Sequence, residues 1–354
     1  MLAAPNAGVL PPDVLFDVLL RLSAKLLCRL RAVCRSWRAL TSDPLFTGAH
    51  AARHPLFLAN FRDDHTHVNV VDLSGSVVKR IPNVYGLLLP TSLDLACAMT
   101  VWDSCHVFDP STGTVCVLPE PSGGGCGSKE SKQAARLFRL HLFEVLTVNI
   151  GSGSSSSQPQ WRAMPGGDEF VEPGSAIVVG EVVYFKIDTT FAALSRDFRH
   201  GISVDCIVPF DLAKEEWREI LRGPTSDILP TYDQLDNGCL WTETILADLR
   251  GSLGLVDYRR SQHIIVWLLK DFDSVLWVKE YTIQIEPIVS TELCVKSSLF
   301  MLDDGRLVIH FPRTELFLIY DPRTNTSTQA EMRHLDAVAM YTGNLLSLQV
   351  GDIV

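Results

Sequence analysis

"VFDPSTGTVCVLP", residues 107–119, governs how most of this chain is read. A short apolar run ends in an aromatic residue, Phe108. The pair Asp109-Pro110 then suits the first two positions of a type I turn, and a second strand-like run follows. The same order returns in "PFDLAKEEWREI" at 209–220 and "IYDPRTNTSTQ" at 319–329. Phe108 and Phe210 are 102 residues apart, and Phe210 and Tyr320 are 110 apart. Each step fits two or more units of ~40–50 residues, the size of one β-propeller blade. Trp161, Trp217 and Trp277 stand at similar places late in their units. A single large β-sandwich has no need of such a period.

Working outward, the whole stretch after residue 55 has this character. "LFLANF", "HVNVVDL", "EVVYFKI", "HIIVWLL" and "RLVIHF" are among roughly twenty strand-sized runs set between Gly, Pro and Asp, with no long helical pattern. Residues 55–354 are therefore expected to form an all-β domain, a propeller of about six blades. A ring must close, and "LFLANF" at 56–61 and "YTGNLLSL" at 341–348 are the candidates to share the closing blade. "SGGGCGSKESKQ" at 122–133 and "GSGSSSSQ" at 151–158 are expected to be surface loops, the second at the tip of a hairpin between "FEVLTVNI" and "QWRAM".

Residues 10–50 differ. Pro11 and Pro12 punctuate the start of an apolar helical pattern holding Val14, Leu15, Val18, Leu19 and Leu22 on one face, with Asp13 in the first turn. Ser23 can cap a second helix and Ser36 a third, which Pro44 should end, giving three helices through about residue 46. Within "LRAVCRSWRAL", 30–40, helical spacing aligns Leu30, Val33, Cys34, Trp37 and Leu40 and leaves Arg31, Arg35 and Arg38 off that stripe. So short a helical unit cannot supply a full core, yet it carries more Leu and Val than one small core uses, which leaves apolar surface for a partner.

Charge and composition narrow the function. The chain has 354 residues, 47% hydrophobic, with a net charge of -10, which disfavours nucleic acid and anionic membrane surfaces as partners. Residues 1–54 hold seven basic and three acidic side chains, so a head of +4 sits on a body of -14. A basic head suits an acidic partner. Nine scattered cysteines without a CxxC pair indicate reduced thiols and a cytoplasmic or nuclear protein. No basic-then-apolar leader opens the chain, and no apolar run approaches the ~18 residues of a spanning helix.

Motifs for catalysis, cofactors or metals are absent. There is no GxSxG, no phosphate-binding loop and no dinucleotide fingerprint. His65 and His67 could place two ligands on one strand face, but no third ligand accompanies them, and the bland reading is an exposed turn. Cys105-His106 reads as strand packing with a surface imidazole, and Asp303-Asp304 before Gly305 as a hairpin turn. No catalytic, cofactor or metal residue is assigned.

The head carries a recognisable pattern. "LPPDVLFDVLLRLSAKLLCRLRAVCRSWRALTSDPLF", 10–46, resembles an F-box in Leu10-Pro11, Asp13, "VLLRL", the series Leu27, Leu30, Val33, and "VCRSW". Ser23 stands where the family usually has Pro, and Ser can cap the following helix. "SDPLF", "AHAARHP", "GSLGLVDY" and "DDGRLVI" resemble the plant F-box proteins with an associated β-rich domain. The resemblance implies an α+β, multidomain chain, with an F-box at 8–50 and an associated propeller-like domain at 55–354. It also implies a substrate-recognition subunit of an SKP–cullin–F-box ubiquitin ligase, non-catalytic itself. The head would dock the SKP-family adaptor, and through it a cullin–RING ligase, while the β domain binds an unidentified protein substrate. The adaptor-contacting residues it implies are Leu10, Pro11, Leu15, Leu19, Leu27, Leu30, Val33, Cys34 and Trp37. It would also break the 30–40 helix near Cys34–Ser36. The alternative, a propeller-type hydrolase with a fused helical head, needs convergent polar groups at the ring's centre that no motif marks. A third option is an adaptor-binding protein acting outside ubiquitination.

Overall fold

The computed structural model describes residues 10–84, 86–89, 95–99, 105–118, 144–146, 161–163, 171–187, 205–225, 244–260, 263–285, 298–311, 316–332 and 334–343. The tracts at 122–133 and 151–158 lie outside these residues.

The head has four helices where three were expected: α1 (Pro12–Leu19), α2 (Ala24–Leu30), α3 (Arg35–Thr41) and α4 (Pro44–Arg53). The fourth arises because Pro44 opens a helix instead of ending one. Asp43 precedes it, and its Oδ1 accepts the Leu45 N–H at 2.8 Å. The stripe drawn across 30–40 is also broken. The chain leaves α2 at Arg31 and is extended at Cys34 (φ -156°), so Cys34, not Ser36, precedes α3. Ser23 does stand before α2, but its side chain makes no capping bond.

Leu19, Leu27 and Phe46 close the head's core, with the Phe16 ring edge-on to Phe46 at 5.1 Å. His50 on α4 and His54 at its C-terminal cap place Nε2 2.9 Å from the carbonyls of Leu22 and Leu20. Leu20 caps the end of α1 and Leu22 lies in the turn before α2, so the end of the α4 segment satisfies these two carbonyls from the side.

The β domain is a five-blade propeller, one blade fewer than expected. Blade 1 joins β1 (Leu56–Phe61), β2 (Asp64–Asp72) and β3 (Val77–Pro82) to β22 (Leu335–Tyr341). Blade 2 is β4 (Leu87–Leu89), β5 (Ala96–Met99), β6 (Cys105–Phe108) and β7 (Val115–Val117). Blade 3 is β10 (Ile177–Val179), β11 (Val182–Lys186), β12 (Ile207–Asp211) and β13 (Glu216–Trp217). Blade 4 is β14 (Thr244–Asp248), β15 (Leu253–Arg260), β16 (His263–Asp271) and β17 (Leu276–Gln284). Blade 5 is β18 (Ser298–Met301), β19 (Leu307–Phe311), β20 (Leu316–Asp321) and β21 (Thr326–Glu331). Between blades 2 and 3 in the chain, β8 (Glu144–Leu146) and β9 (Trp161–Ala163) form the expected hairpin pair, but they pair only with each other among the described residues. That two-stranded sheet is where the expected sixth blade falls.

First strands meet around the ring: β22 against β4, β10 against β14, β14 against β18, and β18 against β22. The closing strand lies just before the segment expected: β1 pairs with 335–341, and of 341–348 only the first three residues are described.

The Asp turn is the unit of the repeat. In every blade the third strand ends at, or just before, an aspartate whose Oδ1 accepts the N–H two residues on: Asp72 from Ser74 (2.9 Å), Asp109 from Ser111 (2.8 Å), Asp211 from Ala213, Asp271 from Asp273 and Asp321 from Arg323 (each 3.0 Å). In four of them the fourth residue after the aspartate is left-handed: Gly113, Glu215, Val275 and Asn325, φ 51° to 78°. Only Gly113 adopts that conformation without a Cβ penalty. Trp217 and Trp277 each follow their aspartate by six residues, on the fourth strands.

Between blades the packing is largely apolar. Phe57, Ala59, Leu302, Val308, Phe317, Leu335 and Val338 fill the seam of blades 5 and 1. His310 enters it as well: it is 1% exposed, packs on Phe317, and has no hydrogen-bond partner for either ring nitrogen among the described residues.

Two outcomes are expected. Gly113→Ala should destabilise the protein by ~1–2 kcal/mol, the cost of a Cβ in a left-handed residue. The new methyl would meet only the end of Lys79, at 3.7 Å, so the backbone alone is tested, by urea titration. The second outcome concerns acid. Burial, helped by the charge of Arg62, lowers the His310 pKa to about 4 from its ordinary 6.5. The unfolded chain therefore takes up this proton first as pH falls. The stability held above pH 6.5 should decline down to about pH 4, by at most ~3 kcal/mol from this group at 1.36 kcal/mol per unit. His50, also lowered to about 4 by burial and by His54 against its bond to Leu22, adds to the same slope. His310→Leu should make that decline shallower, read by melting temperature across that range.

Candidate functional site

The candidate site is the part of the head that its own core does not use. Leu10, Val14, Val18, Leu26, Val33 and Leu45 are 51, 44, 44, 45, 62 and 80% exposed. Helical geometry explains the division. Leu15, Leu19 and Leu22 turn toward Leu27 and Phe46, while Val14 and Val18, one turn apart, form a second stripe facing out. On α2, three consecutive side chains go three ways. Leu26 is exposed, Leu27 enters the head's core, and Cys28 is buried with Leu58, Val68, Val70 and Ile81 of blade 1. Ala24 packs into the same cluster, so the head is seated on the propeller. That burial pushes the Cys28 thiol pKa up, against the charge of Arg31.

The nine residues implied by the resemblance separate accordingly. Leu10, Pro11, Val33 and Cys34 are exposed, Leu15, Leu30 and Trp37 are half-buried around the core, and Leu19 and Leu27 are inside it. Val14, Val18, Leu26 and Leu45 are exposed apolar groups not in that set. Sequence periodicity shows which residues are apolar, not which of two apolar stripes is covered.

Charge surrounds these side chains. Arg21, Arg29, Arg35, Arg38 and Arg53 are exposed. Arg31 is half-buried and donates Nη2–H to Ser42 Oγ at 2.7 Å, so it is partly committed within the head. At the entry to α3 the Cys34 thiol lies 3.1 Å from Ser36 Oγ, and that bond, with the N–H of Trp37, lowers its pKa.

Two of the propeller's buried polar groups tie neighbouring blades together. Lys186 donates to the Thr244 carbonyl, from blade 3 to blade 4, and Asn60 donates to the Gly86 carbonyl beside β4. Asp205 Oδ2 accepts from Thr225 N and Oγ1. His67 Nδ1 is 2.9 Å from Asp64 Oδ1 at the start of β2, a turn contact. Asp304 accepts the Arg306 N–H in the β18–β19 turn, with Gly305 at φ 86°, as a hairpin requires. Among the described residues no group of three or more His, Cys, Asp or Glu is placed to hold a metal, and no helix is long and apolar enough to cross a membrane.

Core and surface roles are separable in the head. Val14→Ser should leave stability within ~0.5 kcal/mol, as exposed positions do, whereas Leu27→Ala should cost ~2–5 kcal/mol. Denaturant unfolding of each variant reads the contrast.

Comparison with known proteins agrees with the geometry. Residues 7–47 match the F-box-like family model. An F-box/kelch-repeat protein of Arabidopsis thaliana is 25% identical, with 76% of this chain and 78% of that protein aligned. A putative F-box protein of the same plant is 21% identical over 93% of this chain and 86% of its own. Another is 36% identical, over 43% and 49%.

Proposed function

From an N-terminal F-box-like domain seated on a five-blade β-propeller, we propose a substrate receptor of an SKP–cullin–F-box ubiquitin ligase. Residues 8–50 dock the SKP-family adaptor. Residues 55–354 hold the protein to be ubiquitinated, and the chain itself performs no chemistry. It would work where that machinery works, in cytoplasm or nucleus.

The observation that carries this reading is the uncovered apolar surface of the head. Exposing Val33, Leu10, Val18 and Leu26 on so small a unit is unfavourable unless a partner covers them. The exposed arginines around them favour an acidic partner and speed its approach. Of the nine residues implied by the resemblance, Leu10, Pro11, Val33 and Cys34 would touch the adaptor directly. Leu15, Leu30 and Trp37 would do so at the edge, and Leu19 and Leu27 would hold the helices in place. Similarity to F-box and F-box/kelch-repeat proteins over most of the chain supports the same assignment.

Purified full-length protein and adaptor test it. Val33→Glu should weaken binding by ~30-fold or more, the ~2 kcal/mol of a central anchor, without loss of melting temperature. Arg38→Glu should mainly slow association and flatten its salt dependence. A wild-type chain that fails to bind the adaptor would overturn the reading. Deletion of residues 1–50 is a poor test, because it strips Cys28 and Ala24 from the blade 1 core.

A further inference from the structure

Blade 2 carries three cysteines on adjacent strands. Cys97 on β5 is opposite Val107 on β6, which is opposite Cys116 on β7, so the three lie in one row. Cys105 is two residues before Val107 and therefore points to the same face of the sheet. Its Sγ is 3.0 Å from Cys97 Sγ, a diagonal contact between neighbouring strands. Cys97 and Cys105 are half-buried, Cys116 is exposed, and none is in a disulfide.

Two thiols in contact do not behave alike. When the S–H of one donates to the other, the acceptor more easily becomes a thiolate and the donor holds its proton. Here the contact lowers the pKa of Cys105 and, together with burial, raises that of Cys97. A partly accessible sulfur with thiolate character and a second thiol within reach are the two parts of a redox-reactive pair. Among the described cysteines, Cys28 and Cys206 are buried, and Cys34 has Ser36 as its side-chain partner.

We propose that Cys97 and Cys105 are a hydroperoxide-reactive pair that closes to a reversible intrachain disulfide, with Cys105 as the attacking sulfur and Cys97 as the resolving one. The Cys105 thiolate attacks the distal oxygen of the hydroperoxide. The O–O bond breaks, the alkoxide or hydroxide leaves and takes a proton, and Cys105 becomes a sulfenic acid. The Cys97 sulfur then attacks Cys105 Sγ. The S–S bond forms, the S–O bond breaks, and hydroxide leaves as water with the Cys97 proton. Two thiols and one peroxide give one disulfide, one alcohol or water, and one water. The product staples β5 to β6 within blade 2, and it can be returned by a dithiol. This inference is independent of the adaptor-docking reading.

Full-length protein treated with near-stoichiometric hydrogen peroxide, then alkylated and analysed by peptide mass spectrometry, tests it. The Cys97 and Cys105 peptides should appear linked, two hydrogens lighter than the two thiol peptides together, and dithiothreitol should restore both thiols. Cys116→Ser should behave as wild type. Cys97→Ser should leave a sulfenic acid on Cys105 that a dimedone probe captures, and Cys105→Ser should give neither the link nor a labelled Cys97. A wild-type protein in which Cys34 or Cys116 oxidises while Cys97 and Cys105 stay reduced would overturn the proposal. So would a probe that labels Cys97 in Cys105→Ser.

Discussion

The pairing of β22 with β1 is the contact on which the rest of the molecule depends. It joins Leu56–Phe61 to Leu335–Tyr341, more than three-quarters of the chain length apart. Closing so long a loop is less costly than it sounds. By the logarithmic dependence on length it adds only about 2 kcal/mol over closing a 40-residue loop. In return the open edge of β1 is paired, and Phe57, Ala59, Leu335 and Val338 are buried against blade 5. Without that pairing β22 would be an orphan strand and blade 1 would lack its innermost member. His310 sits in this same seam, so a buried group with neither ring nitrogen partnered among the described residues lies at the joint the ring relies on.

The head depends on the ring in turn. Among the described residues its own core is three fully buried apolar side chains, Leu19, Leu27 and Phe46, too few to offset the ordering of some forty residues. Two further attachments make up the difference. Cys28 and Ala24 enter the blade 1 core, and α4 runs through His54 and the buried Pro55 straight into β1. α2 is thus committed on two sides, and its remaining side, with Leu26, is free for something else.

How much of this could be read beforehand varied with the physics of each signal. The Asp turn was legible where an aromatic residue preceded it, at Asp109, Asp211 and Asp321. Asp72 follows Val71 and Asp271 follows Lys270, so a pattern keyed on the aromatic missed both. The structural requirement is the carboxylate that accepts an N–H two residues on. The blade count was over-read because the step from Phe108 to Phe210 spans the interval that holds β8 and β9. In the head, periodicity located the helices but not their joints. Asp43 and the extended Cys34 set the boundaries, and capping chemistry outweighed the apolar stripe. The exposed set Val14, Val18, Leu26 and Leu45 could not be read from the pattern. An uncovered stripe and a covered one look the same in sequence, and only the packing of α1 on α2 and α4 separates them.

Strand direction adds a last constraint on how the parts face each other. Leu56, where the chain enters β1 from the head, pairs with Asp72, where β2 ends and its Asp turn begins. The head and that turn therefore leave blade 1 at the same end. All five blades repeat one strand order from the centre outward, so their Asp turns all lie at that end too. The connection from one blade to the next leaves from the opposite end, as Asn83 and Val84 do after β3. Tight turns, each fixed by an aspartate, and the seated helical head occupy one face. The other face is where the chain can change length between blades without disturbing an Asp turn or the head.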